Sequence, residues 1–240
     1  MDTVNFYCLK WGNKYGDEYV LRLFNSIKKY CQAPFTFTCI SDKRFEHSEI
    51  KYESLHGYLF KGSSIFTAEK IELMFRKISG NNVILDLDIL IHDDITELVT
   101  CKIDKPTFIW THWTPKWHTN NIPTKTACFV NSSFVRWEGL SAMPIFNHLV
   151  SNVSEMIKEY DSCDKYLYYE HHLPNNSLDF WPNRYFYNYN EKGEWQYKLN
   201  PNASVCLFNT SHLIKLNRRY YELDNTPTEH SEIWESYDEL

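Results

Sequence analysis

The chain has 240 residues, a formal charge of −6 and 43% hydrophobic residues, which suits one large domain or two small ones and excludes a disordered chain. The acidic balance argues against general nucleic-acid binding, and no apolar run approaches the ~18 residues of a membrane-spanning helix. The opening MDTVNFYCLKW carries neither the basic nor the apolar region of a signal peptide, and seven scattered cysteines without a CxxC read as reduced thiols of a cytoplasmic protein.

In chain order, Val4 to Leu9 reads as a buried strand, followed by a loop punctuated by Gly12 and Gly16. Asp17 opens a helix whose apolar positions, Tyr19, Val20, Leu23, Phe24, Ile27 and Tyr30, recur at helical spacing. Phe35 to Ile40 is a second strand, closed by Ser41-Asp42, so the chain opens as a βαβ unit with a parallel sheet. Residues 43 to 62 read as irregular, residues 66 to 78 as a helix, and Val83 to Leu85 as a strand. Beyond it, Phe108 to Trp110 and Ala127 to Val130 read as strands, with Ser133 to Trp137 as a return arm of the latter. Residues 141 to 158 and 164 to 172 read as helices, then Tyr185 to Tyr189, Trp195 to Leu199 and Ser204 to Phe208 as strands, and residues 225 to 240 as a loose acidic tail. No repeat or linker divides the chain, which predicts a single α/β domain with a mixed second half.

The strand at 83 to 85 delivers Asp86-Leu87-Asp88 into a further apolar run, Ile89-Leu90-Ile91. Burying a carboxylate costs several kcal/mol unless it is paired or bound to a metal. On an extended strand the two side chains point the same way, about 6 to 7 Å apart, at the carboxyl end where open parallel sheets bind ligands. Two hard oxygen ligands there suit Mg²⁺ or Mn²⁺ holding a diphosphate, whose departure the ion would assist. The bland alternative has one aspartate capping a turn and the other solvated. Haloacid-dehalogenase-type phosphatases also carry such a strand, with the first aspartate as nucleophile. There the motif usually opens the fold and is answered by a late acidic pair, and Asp93-Asp94 follows too closely to be that pair.

A different family accounts for more of the chain. VNFYCLKWGNKYGDEYVLRLFNSIKKY, FTCISD, TAEKIELMFRKISGNNVILDLDILI and ACFVNSSFVRWEG, in that order, resemble the GT-A glycosyltransferases with a DxD motif, in particular family-8-like bacterial and viral nucleotide-diphospho-sugar transferases. The resemblance covers most of residues 4 to 139 and is loose beyond. It implies a Rossmann-like mixed sheet flanked by helices, with residues 1–100 as the nucleotide-binding half and 101–224 as the half for donor sugar and acceptor. It implies a UDP- or GDP-sugar donor, a glycan or lipid-linked acceptor, and Mn²⁺ or Mg²⁺. Lys10 and Trp11 would lie against the nucleotide, Asp42 would accept a hydrogen bond from the base, and Lys70 would face the pyrophosphate. Asp86 would touch ribose and metal, Asp88 would be the main metal ligand, and Asn131 would bind the donor sugar. Bland readings stand beside these: Trp11 as packing, Asp42 as a turn former, Lys70 as a solvated helix lysine.

Two departures from the family pattern bear on the chemistry. Where the family often has Gly-Asp-Gln, this chain has Cys163-Asp164-Lys165, which leaves Asp164 as the candidate sugar contact or catalytic carboxylate. Where the family often has Phe-His-Gly, this chain has Phe208-Asn209-Thr210, so Asn209, His212, or the phosphates alone would complete the metal site. Glu170 and Asp179 are alternative general bases. His171 and His172, being adjacent, point to different faces and do not make a joint metal site. The aromatic and Asn-rich stretch 172 to 190 suits an acceptor surface or an aromatic mini-core, and Arg218-Arg219-Tyr220-Tyr221 suits at most peripheral membrane contact. The replaced Gln and His also leave open a non-catalytic sugar-binding protein.

Overall fold

The structure is a computed structural model, and it describes residues 2–60, 67–113, 127–191, 194–196, 198–208 and 229–238. Strand β1 (Val4–Lys10), helix α1 (Asp17–Tyr30) and strand β2 (Phe35–Ser41) form the expected opening unit. Strand β3 (Ile50–Ser54), helix α2 (Glu69–Arg76) and strand β4 (Asn81–Leu85) follow. Next come β5 (Ile89–Ile91), α3 (Thr96–Thr100), β6 (Thr107–Trp110) and β7 (Val130–Glu138).

The main sheet has seven strands in the order β3-β2-β1-β4-β7-β6, closed by the short β8 (Asp179–Phe180). β1 pairs in parallel with β2 on one side and β4 on the other, while β7 runs antiparallel between β4 and β6. The chain therefore lays β2 and β3 to one side of β1 and then crosses to the other side for β4. That reversal leaves a crevice at the carboxyl ends of β1 and β4.

Strand alternation assigns each side chain to one of two cores. Val4, Phe6, Cys8, Phe37, Cys39, Val83 and Leu85 pack with Val20, Leu23, Phe24 and Ile27 of α1. Tyr7, Leu9, Ile40, Ile84, Val135 and Trp137 pack on the opposite face with Ile71 and Met74 of α2. They are joined there by Ile145, Phe146 and Leu149 of α4 (Met143–Ser151). With both faces covered, the strands read as continuous apolar runs.

Several expectations are corrected. Residues 43 to 62 are not all irregular, since β3 pairs with β2 as an edge strand. The arm expected at 127 to 130 is strand only at Val130, where β7 begins and runs on through the arm expected at 133 to 137, with a register shift opposite Thr107 and Ile109. The helix expected over 141 to 158 breaks at Asn152 into α4 and α5 (Val153–Glu159). The helix expected over 164 to 172 is α6 (Cys163–Tyr166) continuing as a π-helical stretch, Leu167–His172, and then α7 (Leu173–Asn175).

A second sheet has the order β5-β12-β9, with β9 at Phe186–Asn188 and β12 at Val205–Leu207. The strand expected over 195 to 199 shrinks to β11 (Glu194–Trp195), paired with β10 (Asn190–Glu191). The described part of the tail is not loose. It forms α8 (Glu229–Ser236), which buries His230 and Trp234, with Tyr237 buried just beyond it. Arg22 of α1 pairs with Asp238 at 2.5 Å, and Tyr237 donates to the Ile91 carbonyl at 2.6 Å. Among the described residues no helix is long and apolar enough to cross a membrane.

Arg136 links β4, α3 and β7 from inside the protein. Its Nε donates to Asn81 Oδ1 at 2.7 Å, its Nη1 to the Leu98 carbonyl at 3.2 Å, and its Nη2 meets Glu138 at 2.5 Å. Arg136→Met leaves the buried Asn81 Oδ1 and Leu98 carbonyl unpaired. Urea unfolding is expected to show a loss of about 2 to 4 kcal/mol, whereas a neutral result would mean that water replaces the guanidinium.

Candidate active site

β4 carries Asp86 to the crevice, but the two aspartates do not share an extended strand. β4 ends at Leu85, and Leu87 and Asp88 form a turn before β5. The main-chain amide of Asp86 still bonds the Ser133 carbonyl of β7 at 2.9 Å, while the Asp88 carbonyl accepts from Phe208 at 3.1 Å, next to β12. The motif thus lies where the chain leaves one sheet and enters the other. Leu87 turns into the α1-side core and leaves a carboxylate on each side of it.

The two carboxylates have different partners. Asp86 forms an ion pair with Lys70 of α2 at 2.6 Å. Asp88, only 6% exposed, accepts a hydrogen bond on Oδ2 from the neutral phenol of Tyr15 at 3.0 Å.

Lys70 anchors a buried polar cluster and is not a solvated helix lysine. Its Nζ donates to the carbonyl and Oγ of Ser132, each at 3.1 Å. The Ser132 amide donates to Asp164 Oδ1 at 3.1 Å, and Ser132 Oγ lies 3.5 Å from Cys163 Sγ. Burial works against the Lys70 ammonium, but Asp86 first and then Asp164 outweigh it and hold the group above the usual lysine range. Burial raises Asp164, while Lys70 and Ser132 oppose that rise. Burial and Asp164 push the Cys163 thiol up to about 12, so it stays neutral and is not a nucleophile.

The remaining expected residues distribute around the crevice. Lys10 ends β1 on the α1 face, with the same parity as Phe6 and Cys8, and pairs with Asp17 in the first turn of α1 at 2.9 Å. Trp11 packs, half-buried, against the α2-side core. Asp42, just past β2, accepts from the Gly12 amide on Oδ2 at 3.0 Å, while its Oδ1 is buried without a hydrogen-bond partner. Asn131 lies in β7, where its Oδ1 accepts from the Ser133 amide at 2.9 Å. Asn209 and His212 lie outside the described residues, as do Arg218 to Tyr221.

The alternative bases meet other side chains. Glu170 accepts from Tyr160. Asp179 pairs with Thr107, at the far end of β6 from the crevice, and lies 3.7 Å from Lys105. Ser132 and Tyr15 were missed by sequence reasoning. The β7 register shift hides which way Ser132 points, and Tyr15 reaches Asp88 only through space.

Asp86 and Asp88 offer hard oxygens at one turn, and among the described residues no cluster of three His, Cys, Asp or Glu forms a ready cation site. That donor set fits an ion that completes its shell with diphosphate oxygens and water, as Mg²⁺ and Mn²⁺ do.

The helix carrying Asp164 is braced from behind. Tyr166 OH lies 3.0 Å from His148 Nδ1 and 2.8 Å from His171 Nε2, and donates to the Ile145 carbonyl at 3.1 Å. Its neighbour His172 faces the other way, toward Trp110 and Phe180. Burial, with His148 adding to it, lowers His171 from 6.5 to about 4. A histidine held neutral in the fold takes up its proton more readily when unfolded. Its contribution is therefore complete above pH 6.5 and is lost as the pH falls through about 4. Denaturant titrations across that window are expected to lose up to about 3 kcal/mol from this group. His171→Gln is expected to flatten the slope, and an unchanged slope would show that the proton is taken up elsewhere.

No protein-family model matches the sequence, and no curated protein matches it. Solved structures do. A galactosyltransferase, LgtC, solved with donor and acceptor sugar analogs, aligns over 97% of this chain and 99% of its own at 12% identity, with a TM-score of 0.55. The glycosyltransferase GlyE of Streptococcus pneumoniae aligns over all of this chain (100%) and 61% of its own at 10% identity, with a TM-score of 0.64. Mouse xyloside xylosyltransferase 1 in its apo form aligns over 88% and 99% at 11% identity, with a TM-score of 0.56. The chain has the GT-A-like glycosyltransferase fold.

Proposed function

We propose that this chain is a glycosyltransferase that moves one sugar from a UDP- or GDP-linked donor to a hydroxyl of a glycan or lipid-linked acceptor, using Mn²⁺ or Mg²⁺. The observation that carries the reading is the convergence of Asp86, Asp88, Lys70 and Asp164 on the crevice beside β1 and β4. The fold supports it over the phosphatase alternative. The names of the structural neighbours support sugar transfer in general and do not specify the sugar.

Each residue has a chemical task in this reading. The unpartnered Asp42 Oδ1 suits an N–H of the base. Trp11 shapes the base pocket, and Lys10, tied to Asp17, closes the end of β1 near the ribose. Asp88 and Asp86 hold the metal, which when bound supplies Lewis-acid stabilisation of the departing nucleotide. Lys70 adds a fixed positive charge beside the diphosphate. Asp164, fixed by the Ser132 amide, and Asn131 meet the hydroxyls of the donor sugar.

Asp88→Ala is expected to lower donor turnover about 1,000-fold while leaving thermal melting near wild type. Calorimetry with UDP and GDP, with and without Mn²⁺, is the companion measurement. Nucleotide binding that ignores the metal and survives the substitution would contradict the reading and favour a non-catalytic sugar-binding protein.

A further inference from the structure

We propose that Tyr15 is a positioning residue for Asp88, and that α8 supports it through a closed circuit of contacts. The inference rests on the proposed metal-assisted glycosyl transfer and extends it to a residue outside the DxD motif.

Tyr15 lies in the loop between β1 and α1, and its hydroxyl donates to Asp88 Oδ2 at 3.0 Å. Its ring meets Tyr19 edge-on at a centroid distance of 4.9 Å, and Tyr19 meets Trp234 of α8 at 6.0 Å. Trp234 packs against Phe208 at 5.7 Å, and the Phe208 amide donates to the Asp88 carbonyl at 3.1 Å. The circuit returns to its starting residue, so Asp88 is held by its side chain and its main chain through elements that share one tryptophan. Trp234 and Tyr19 are buried, so the rings behind Tyr15 have little room to move.

The chemical consequence follows from what the hydroxyl does: it donates to Asp88 Oδ2 and orients the carboxylate. A carboxylate offers about four lone-pair sites, so one bond to Oδ2 restricts the rotamer without using up the group's capacity to accept. Hydrogen bonds that orient a metal ligand typically change metal affinity about 10- to 100-fold when removed.

The test is a Mn²⁺ titration followed by electron paramagnetic resonance, with UDP and in parallel with GDP, on the wild type, Tyr15→Phe and Asp88→Asn. Tyr15→Phe keeps the ring and removes only the hydroxyl. It is expected to raise the Mn²⁺ concentration for half-saturation about 10-fold, with metal-free nucleotide affinity and melting unchanged. A purely structural role would instead move melting and nucleotide affinity together, and that result overturns the inference. If Asp88→Asn abolishes Mn²⁺ binding while Tyr15→Phe binds like wild type, the inference fails and the catalytic reading stands. If Asp88→Asn binds Mn²⁺ like wild type, the catalytic reading fails and the inference falls with it. Should Tyr15→Phe not fold, Trp234→Phe, which thins the packing behind the hydroxyl, is expected to weaken Mn²⁺ selectively, and unchanged Mn²⁺ affinity there also overturns the inference.

Discussion

The ion pair between Lys70 and Asp86 joins α2 to the end of β4 beside the crevice. A buried ammonium is costly unless it is paired and hydrogen-bonded, and here Asp86, both oxygens of Ser132 and the nearby Asp164 meet that condition. The pair fixes the distance between helix and sheet at the point where the sheet opens. Through Ser132 it also fixes Asp164, because one serine accepts from Lys70 and donates to the aspartate. A preorganised cluster of this kind holds its charges in place before a ligand arrives, which is what electrostatic stabilisation of a leaving group requires.

The DxD motif is also the joint between two sheets. β4 belongs to the seven-stranded sheet and β5 to the three-stranded one, so Asp86 is tied to β7 and Asp88 to the segment beyond β12. An aspartate pair on one straight strand would share one environment. Split by a turn, the two carboxylates meet different side chains, Lys70 at Asp86 and the Tyr15 phenol at Asp88. The apolar residues around them are explained by the same joint, since Leu85, Leu87 and Ile89 all feed the core beneath α1.

The opening β1-α1-β2 unit was legible almost to the residue, because helical spacing and strand alternation are both strong there. β3 was not, because Ile50-Lys51-Tyr52-Glu53-Ser54 is an edge strand with only Ile50 buried. β7 was misread as two arms because Asn131-Ser132-Ser133 has the composition of a turn, whereas neighbouring strands absorb it as an irregular register. The acidic tail hid a pattern that was available: His230, Trp234 and Tyr237 recur at helical spacing and all point inward. For the site, the type and order of Asp42, Lys70, Asp86, Asp88 and Asp164 could be read through the family resemblance. Their partners could not, because the contacts of Ser132 and Tyr15 depend on a strand irregularity and on a loop folding back across the crevice.

The most direct measurement is a crystal structure with Mn²⁺ and UDP or GDP bound. The account predicts one metal ion in contact with a carboxylate oxygen of Asp88 and with the diphosphate, and the base within hydrogen-bond distance of Asp42. A nucleotide bound elsewhere, or a diphosphate held with no metal at the Asp86–Asp88 turn, would contradict it.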